Sequence, residues 1–287
     1  MSEPIKNHSS DETIDLGVGS SSFSSSDPRV PVGASFAKYK IIVMSGKGGV
    51  GKSTIASNLA VSLALKGFKT GILDLDLTGP SIPKILGIEQ VEPESDPDTR
   101  RLIPVPVMPN LVAMSLYYFI GSDKAVIWRG SMRFKAIQNF LKGVNWGSLD
   151  FLVMDLPPGT GDEPITIAQQ IPDPTGAIIV STPQAVATQD VRKSIIFAQR
   201  MKIPVLGVVE NMSGFVCPHC GEFTPIFGQY GAKELSKSMN VPFLGSLPLK
   251  QEIAVSGDAG KPFSGVPAES KDFDVIVSNL LDKLDLH

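Results

Sequence analysis

Cysteine is almost missing from this chain: 287 residues contain two. Two thiols cannot staple a protein of this length, and a chain this long buries enough core to fold without staples. A basic excess is missing too. Lysine and arginine number 26 against 29 aspartates and glutamates, leaving a formal charge of −3. With no dense run of Lys or Arg, the electrostatic footprint of nucleic-acid binding is absent, so no nucleic-acid partner is expected. No apolar stretch approaches the roughly 20 residues of a membrane span. The first residues show no apolar core of a secretory signal. Together these shortages predict a cytoplasmic protein that engages neither membrane nor nucleic acid.

What is present divides into two parts. Residues 1–37 are polar and serine-rich, with the run Ser20-Ser21-Ser22-Phe23-Ser24-Ser25-Ser26 at their centre. Such a segment buries too little apolar surface to offset its ordering entropy and reads as a disordered tail. Residues 38–287 read as a single domain in which strands and helices alternate. Candidate strands are Ile41–Ser45, Thr70–Leu75, Leu111–Ser115, Phe151–Asp155, Ala177–Ser181, Val205–Asn211 and Phe243–Gly245. Helical spacing appears over Thr54–Lys66, Met132–Leu141, Pro164–Gln170, Thr188–Met201, Gly231–Ser238 and, at the end, Asp272–Leu286. Continuous apolar strands between helices predict an α/β fold: a doubly wound, mostly parallel sheet with helices on both faces. Ligands of such folds sit at the carboxyl ends of the strands. The proline- and acid-rich stretch Glu89–Pro109 reads as a surface loop.

The first strand runs into Gly46-Lys47-Gly48-Gly49-Val50-Gly51-Lys52-Ser53, and a helical pattern follows from Thr54. The spacing fits the phosphate-binding loop GxxxxGK[ST], and strand–loop–helix is the context that motif requires. Backbone N–H groups of the loop cradle a polyphosphate, Lys52 reaches its terminal phosphates, and Ser53 joins Mg²⁺. Lys47 is not needed for that cradle. It is either a solvated loop lysine or a cation offered to the phosphates of a facing subunit, where it would stabilise charge on the transferred group.

Hydrolysis also needs a held metal and a positioned water. Gly71-Ile72-Leu73-Asp74-Leu75-Asp76 ends one strand in two acids that alternation places on one side. Asp76 lies nearer the loop and takes the water or Mg²⁺ role, whereas Asp74 reads equally well as a turn or helix-cap residue. Phe151-Leu152-Val153-Met154-Asp155 ends another strand in an acid suited to Mg²⁺. The stiff, glycine-bearing Leu156-Pro157-Pro158-Gly159-Thr160-Gly161-Asp162 that follows suits a segment ordered by the γ-phosphate.

Both cysteines fall in Cys217-Pro218-His219-Cys220. Two thiolates at this spacing chelate one edge of a soft metal, but a structural zinc or a [4Fe–4S] cluster takes four ligands. One chain supplies half a site and a symmetric pair of chains completes it. On the residues alone an intersubunit zinc clasp and a bridging cluster stand level. A redox dithiol stands behind them, because no helix begins at the motif.

A loop and five further motifs, in order, carry a resemblance. The loop Lys47–Ser53 resembles the deviant Walker A of the MinD/ParA/nitrogenase-iron-protein class. Asp74-Leu75-Asp76-Leu77-Thr78-Gly79-Pro80-Ser81-Ile82-Pro83, Ile127-Trp128-Arg129-Gly130, Asp155–Asp162, Val209-Glu210-Asn211-Met212-Ser213 and the CxxC are similar to the Mrp/ApbC group of iron–sulfur cluster carriers. The similarity runs from about Lys40 to Leu284. It implies an ATP-binding, ATP-hydrolysing homodimer that holds a labile [4Fe–4S] cluster between subunits and delivers it to apo iron–sulfur proteins. On that resemblance Gly46 through Thr54 bind the nucleotide and Asn211 contacts the adenine, with Pro248-Leu249-Lys250 beside it. Lys47 and Asp76 are the catalytic residues. Ser53, Asp76 and Asp155 serve Mg²⁺, and Cys217 and Cys220 ligate the cluster. A lysine at position 47 is the mark of NTPases that complete their site from a second subunit. Relatives with an extra N-terminal cysteine set differ from this chain, whose tail has none, so no second cluster is expected. The competing function is a positioning ATPase like MinD or ParA, with a zinc-clasped or redox CxxC. The acidic polar face of Asp272–His287 argues against a lipid anchor of the MinD kind.

Overall fold

A computed structural model describes residues 37–76, 79–120, 137, 141, 143–217 and 219–286. Residues 1–36 of the serine-rich tail, Leu77-Thr78, Ile127–Gly130 and most of the helix expected over Met132–Leu141 lie outside the described residues, whereas Ala37, expected to end the tail, already begins the first strand.

In chain order the elements are β1 (Ala37–Ser45), α1 (Lys52–Leu65), β2 (Thr70–Asp74), α2 (Ile82–Ile85), β3 (Val105–Met108), β4 (Leu111–Ser115), α3 (Tyr117–Ile120), β5 (Leu149–Asp155), α4 (Asp162–Gln170), β6 (Gly176–Ser181), α5 (Ala185–Arg200), β7 (Val205–Glu210), β8 (Phe215–Val216), β9 (Phe223–Thr224), α6 (Gly231–Ser238), β10 (Phe243–Ser246), α7 (Gln251–Asp258) and α8 (Pro267–Lys283). Eight strands form one sheet in the order β10-β7-β6-β1-β5-β2-β4-β3. All pairs are parallel except β3 with β4. The chain winds outward from β1 through β2 to β4, returns to β5, and then winds the other way through β6, β7 and β10. This reversal around β1 puts the switch point of the sheet at the carboxyl end of that strand.

Alternation along β1 explains both layers. Ile41 and Val43 face α1 and α8, packing with Ile55, Leu59, Phe273, Ile276 and Leu280. Ile42 and Met44 face α4, α5 and α6, packing with Ile167, Val191, Ile195 and Leu235. Strands buried on both faces read as continuous apolar runs, which is why seven of the eight were visible in the sequence.

The eighth corrects an expectation. Glu89–Pro109 is not wholly a loop: Val105–Met108 is an antiparallel edge strand, with Val105 opposite Ala113 and Pro106 opposite Val112. Proline is tolerated there because one side of an edge strand makes no ladder bonds. The final helix also begins earlier than its apolar face suggests, with Pro267 in its first turn, where a missing N–H costs nothing. No helix among the described residues is long and apolar enough to cross a membrane.

Candidate functional site

The loop between β1 and α1 is shaped by glycines at two left-handed positions, Gly49 (φ 76°) and Gly51 (φ 84°). Gly46 is required for a different reason: a Cβ there would lie 2.5 Å from the Asp190 Cβ, so α5 packs directly on the loop backbone. Helix α1 starts at Lys52 immediately after Gly51. Its N-terminal N–H groups and positive dipole end therefore face the loop, an arrangement that suits a phosphate.

Two strand ends meet this loop. The Lys52 ammonium donates to Asp155 Oδ1 at 2.6 Å, and Ser53 Oγ donates to Asp155 Oδ2 at 2.5 Å. The Asp76 carboxylate stands 3.6 Å from the same ammonium. Asp155 is fully buried. Burial pushes its carboxyl above the ordinary range, and the Lys52 charge and the Ser53 hydrogen bond oppose that push. The oxygens of Ser53 and Asp155 lie side by side with the Asp76 carboxylate close by, a hard-oxygen donor set that fits Mg²⁺.

Asp74 takes the structural role that its position left open. Its Oδ1 accepts from the Asp76 N–H at 3.1 Å. Its Oδ2 accepts from the Ile82 N–H at 3.2 Å and the Ser115 hydroxyl at 3.0 Å. The carboxylate thus closes the turn that carries Asp76. Burial, followed by repulsion from Asp155, pushes its pKa up to about 7.

Lys47 lies on the rim of the loop, where its ammonium reaches Gln184 Oε1 at 3.4 Å. Gln184 precedes α5 and carried no sequence signal. Asn211, just beyond β7, donates from Nδ2 to the Val50 carbonyl at 2.9 Å and presses on Gly51, where a Cβ would meet that nitrogen at 2.2 Å. It therefore braces the loop as well as facing the cleft. That cleft, about 500 Å³, is lined by the loop, Asp76, Pro158, Asn211, Met212 and Pro248-Leu249-Lys250. Ile253 and Ala254 of α7 form a further wall that was not read from the sequence.

The cysteines stand elsewhere. Neither lines the cleft. They lie at the tip of the small antiparallel hairpin β8–β9, closed by Cys217 N–H to the Glu222 carbonyl at 2.9 Å. Cys220 is exposed and Cys217 half-buried, and both thiols are free. Backbone N–H groups of Cys220 and then His219 point to the Cys217 sulfur and hold its thiol below the ordinary range. Such a turn favours the thiolate, the form that binds metal. Among the described residues no three His, Cys, Asp or Glu side chains converge on a metal position. The thiol pair of one chain therefore has no third ligand at hand within those residues.

Comparisons with known proteins agree with this geometry. The family model described as ParA, NUBPL iron-transfer P-loop NTPase, matches residues 37–284. An iron-sulfur cluster carrier protein of Methanocaldococcus jannaschii is 45% identical over 90% of this chain and 89% of its own length. A cytosolic Fe-S cluster assembly factor NUBP2 homolog of Dictyostelium discoideum is 46% identical over 78% of this chain and 85% of its own. A nucleotide-binding protein from Archaeoglobus fulgidus, solved in complex with ADP, superposes with a TM-score of 0.72 at 40% identity, covering 83% of this chain and 93% of that one. The cell division ATPase MinD of Pyrococcus furiosus shares the fold at a TM-score of 0.61 and 21% identity, over 86% of this chain and 98% of its own. The chain belongs to the ParA/NUBPL family of iron-transfer P-loop NTPases.

Proposed function

We propose that this protein is an ATP-hydrolysing homodimeric carrier. In this reading it holds a labile iron–sulfur cluster between the Cys217 and Cys220 pairs of two copies and passes it to apoproteins. The observation that carries it is the pairing of a complete P-loop cleft with two thiols, one exposed, that lack a third ligand among the described residues. Two chains supply the four thiolates a [4Fe–4S] cluster takes. The names of the 45–46% identical relatives, a carrier and an assembly factor, support the cargo.

Within the cleft each residue has a chemical task. Loop N–H groups and the start of α1 bind the phosphates, and Lys52 turns from Asp155 to neutralise the terminal ones. Ser53, Asp155 and Asp76 would hold Mg²⁺, which would supply positive charge beside the phosphates. Asp76 orients the attacking water. Lys47 needs only to leave a long contact with a neutral amide to reach the phosphates of a facing copy. Asn211 and the Pro248–Lys250 segment form the wall against which the base rests.

The MinD-like alternative loses ground at α8. Its apolar residues Phe273, Ile276, Val277 and Leu280 are spent on the sheet and are not available to lipid. Anaerobic reconstitution with iron and sulfide tests the proposal. The expected result is about four irons per dimer and transfer to an apo acceptor, both lost in Cys217→Ala. Binding of zinc with no cluster formed would overturn it.

A further inference from the structure

Glu210, the last residue of β7, is fully buried, and its carboxylate has no solvent to satisfy it. It faces inward protein donors instead. Oε1 accepts the Ser213 hydroxyl at 2.6 Å and the Tyr230 N–H at 3.1 Å. Oε2 accepts the Ala232 N–H at 2.8 Å, at the start of α6. A buried carboxylate is tolerated only with such a shell. The placement of this shell is informative. Ser213 lies where the chain departs towards the cysteine hairpin, and Tyr230 and Ala232 lie where it comes back. One carboxylate therefore ties both ends of the loop that carries Cys217 and Cys220.

The same position is joined to the nucleotide loop. Asn211, the next residue, holds the Val50 carbonyl and packs on Gly51. From Asn211 towards the cysteines, hydrogen bonds continue. The Ser213 N–H donates to the Leu247 carbonyl at 2.8 Å, and the Leu249 N–H to the Gly214 carbonyl at 2.7 Å. Phe215 then pairs with Thr224, and Val216 with Phe223. Gly214 (φ 80°) admits the Phe223 ring against its backbone: a Cβ there would be 2.1 Å from the ring. The hairpin is thereby clamped to its own base. Leu249 also lines the nucleotide cleft. Fully satisfied buried networks of this kind behave as rigid units.

We infer that Glu210 is a positioning residue that makes the cysteine loop and the nucleotide loop one rigid body, so that a change at Val50–Gly51 is felt at the two thiols. The inference rests on the proposed function for its meaning, but its test does not need a cluster. In the iron-free protein, the rate at which iodoacetamide alkylates Cys217 and Cys220 is measured with and without Mg-ADP and a non-hydrolysable ATP analogue. In the wild type, nucleotide changes that rate by about fivefold or more, the lower range of site-to-site coupling. In Glu210→Gln one oxygen becomes an N–H₂ facing N–H donors. Nucleotide affinity stays within about twofold and the nucleotide dependence of alkylation is lost. A merely structural role would move the melting temperature and leave that dependence in place. Wild-type thiols indifferent to nucleotide, or coupling retained in Glu210→Gln, would overturn the inference. If Glu210→Gln does not fold, Ser213→Ala decides: coupling weakened in the folded variant supports the strut, and coupling unchanged overturns it. Failure of cluster reconstitution with coupling intact would count against the carrier reading alone.

Discussion

Lys52 and Asp155 form a buried ion pair at 2.6 Å, with 6% and none of their side-chain surfaces exposed. Such a pair is costly to break from one side, because the remaining charge stays out of water. In Asp155→Asn the Lys52 ammonium keeps Asp76, 3.6 Å away, as its ion-pair partner among the described residues. The expected loss of stability is roughly 3 kcal/mol. The same change removes one of the three oxygen ligands proposed for Mg²⁺. Urea unfolding checks the first effect. The second is checked by titrating nucleotide with and without Mg²⁺, and the gain in affinity that Mg²⁺ gives the wild type should vanish.

Asp74 makes stability depend on pH. Its folded pKa, about 7, lies above the ordinary 3.8 because of burial and then the Asp155 charge. Between those values the native state binds more protons than the unfolded chain, so stability falls as pH rises through the window. Asp155, also raised, adds in the same direction. The slope contributed by one such group is at most about 1.4 kcal/mol per pH unit. Urea unfolding from about pH 5 to 8 should show this decline, and Asp74→Asn should flatten it. The variant is also less stable at the acid end, because an amide cannot accept from both Ile82 and Ser115 at the nitrogen that replaces Oδ2. An unaltered slope would remove Asp74 as its source.

The parts of this site that were legible in the sequence are those written in short runs. β1 and β5 are continuous apolar strands ending at Ser45 and Asp155, so strand, loop and acid could be placed from local pattern alone. Asp74 and Asp76 look alike to an alternation rule. Only contacts from distant residues, Ser115 and Ile82, separate the turn-closing acid from the cleft-facing one. Helix α7 was missed because none of its residues is buried, which leaves no apolar face at helical spacing to detect. The edge strand β3 was hidden by Pro106 and by a partner, β4, that supplies its register from outside the local pattern. The contact made by Gln184, and the role of Glu210 within its motif, were not legible for the same reason: their partners at Lys47, Tyr230 and Ala232 are distant in the chain.

Two glycines of the phosphate loop should respond differently to alanine. Both have left-handed backbones, which cost a Cβ-bearing residue about 1–2 kcal/mol. At Gly49 the added methyl meets nothing within 4 Å, so that cost is the whole effect on stability. At Gly51 it falls 2.2 Å from Asn211 Nδ2 and must break the hydrogen bond to Val50. Gly51→Ala should therefore lose roughly 3 kcal/mol or more, since strain and a broken buried contact combine. Thermal or urea unfolding of the two variants side by side reads the difference, and equal losses would contradict the bracing role of Asn211.

Lys47 offers the sharpest test of a site shared between copies. Its contact with Gln184 is long, 3.4 Å, and made to a neutral amide, so removing the side chain should barely disturb the loop. Lys47→Ala should bind ADP within about twofold of the wild type and lose hydrolysis by about 10³-fold, the scale of a charge supplied in trans to phosphoryl transfer. Asp76→Asn should lose hydrolysis as well, for want of a positioned water. Mixing the two inactive variants distinguishes the arrangements. If Lys47 acts across a symmetric dimer, a mixed pair holds one site with Asp76 of its own and Lys47 from its partner. Random pairing in equal amounts then restores about a quarter of wild-type turnover. If Lys47 acts within its own chain, every mixed site lacks one residue or the other, and mixing restores nothing. Turnover that stays at the level of the separate variants would therefore place Lys47 in its own site and remove the catalytic need for a second copy.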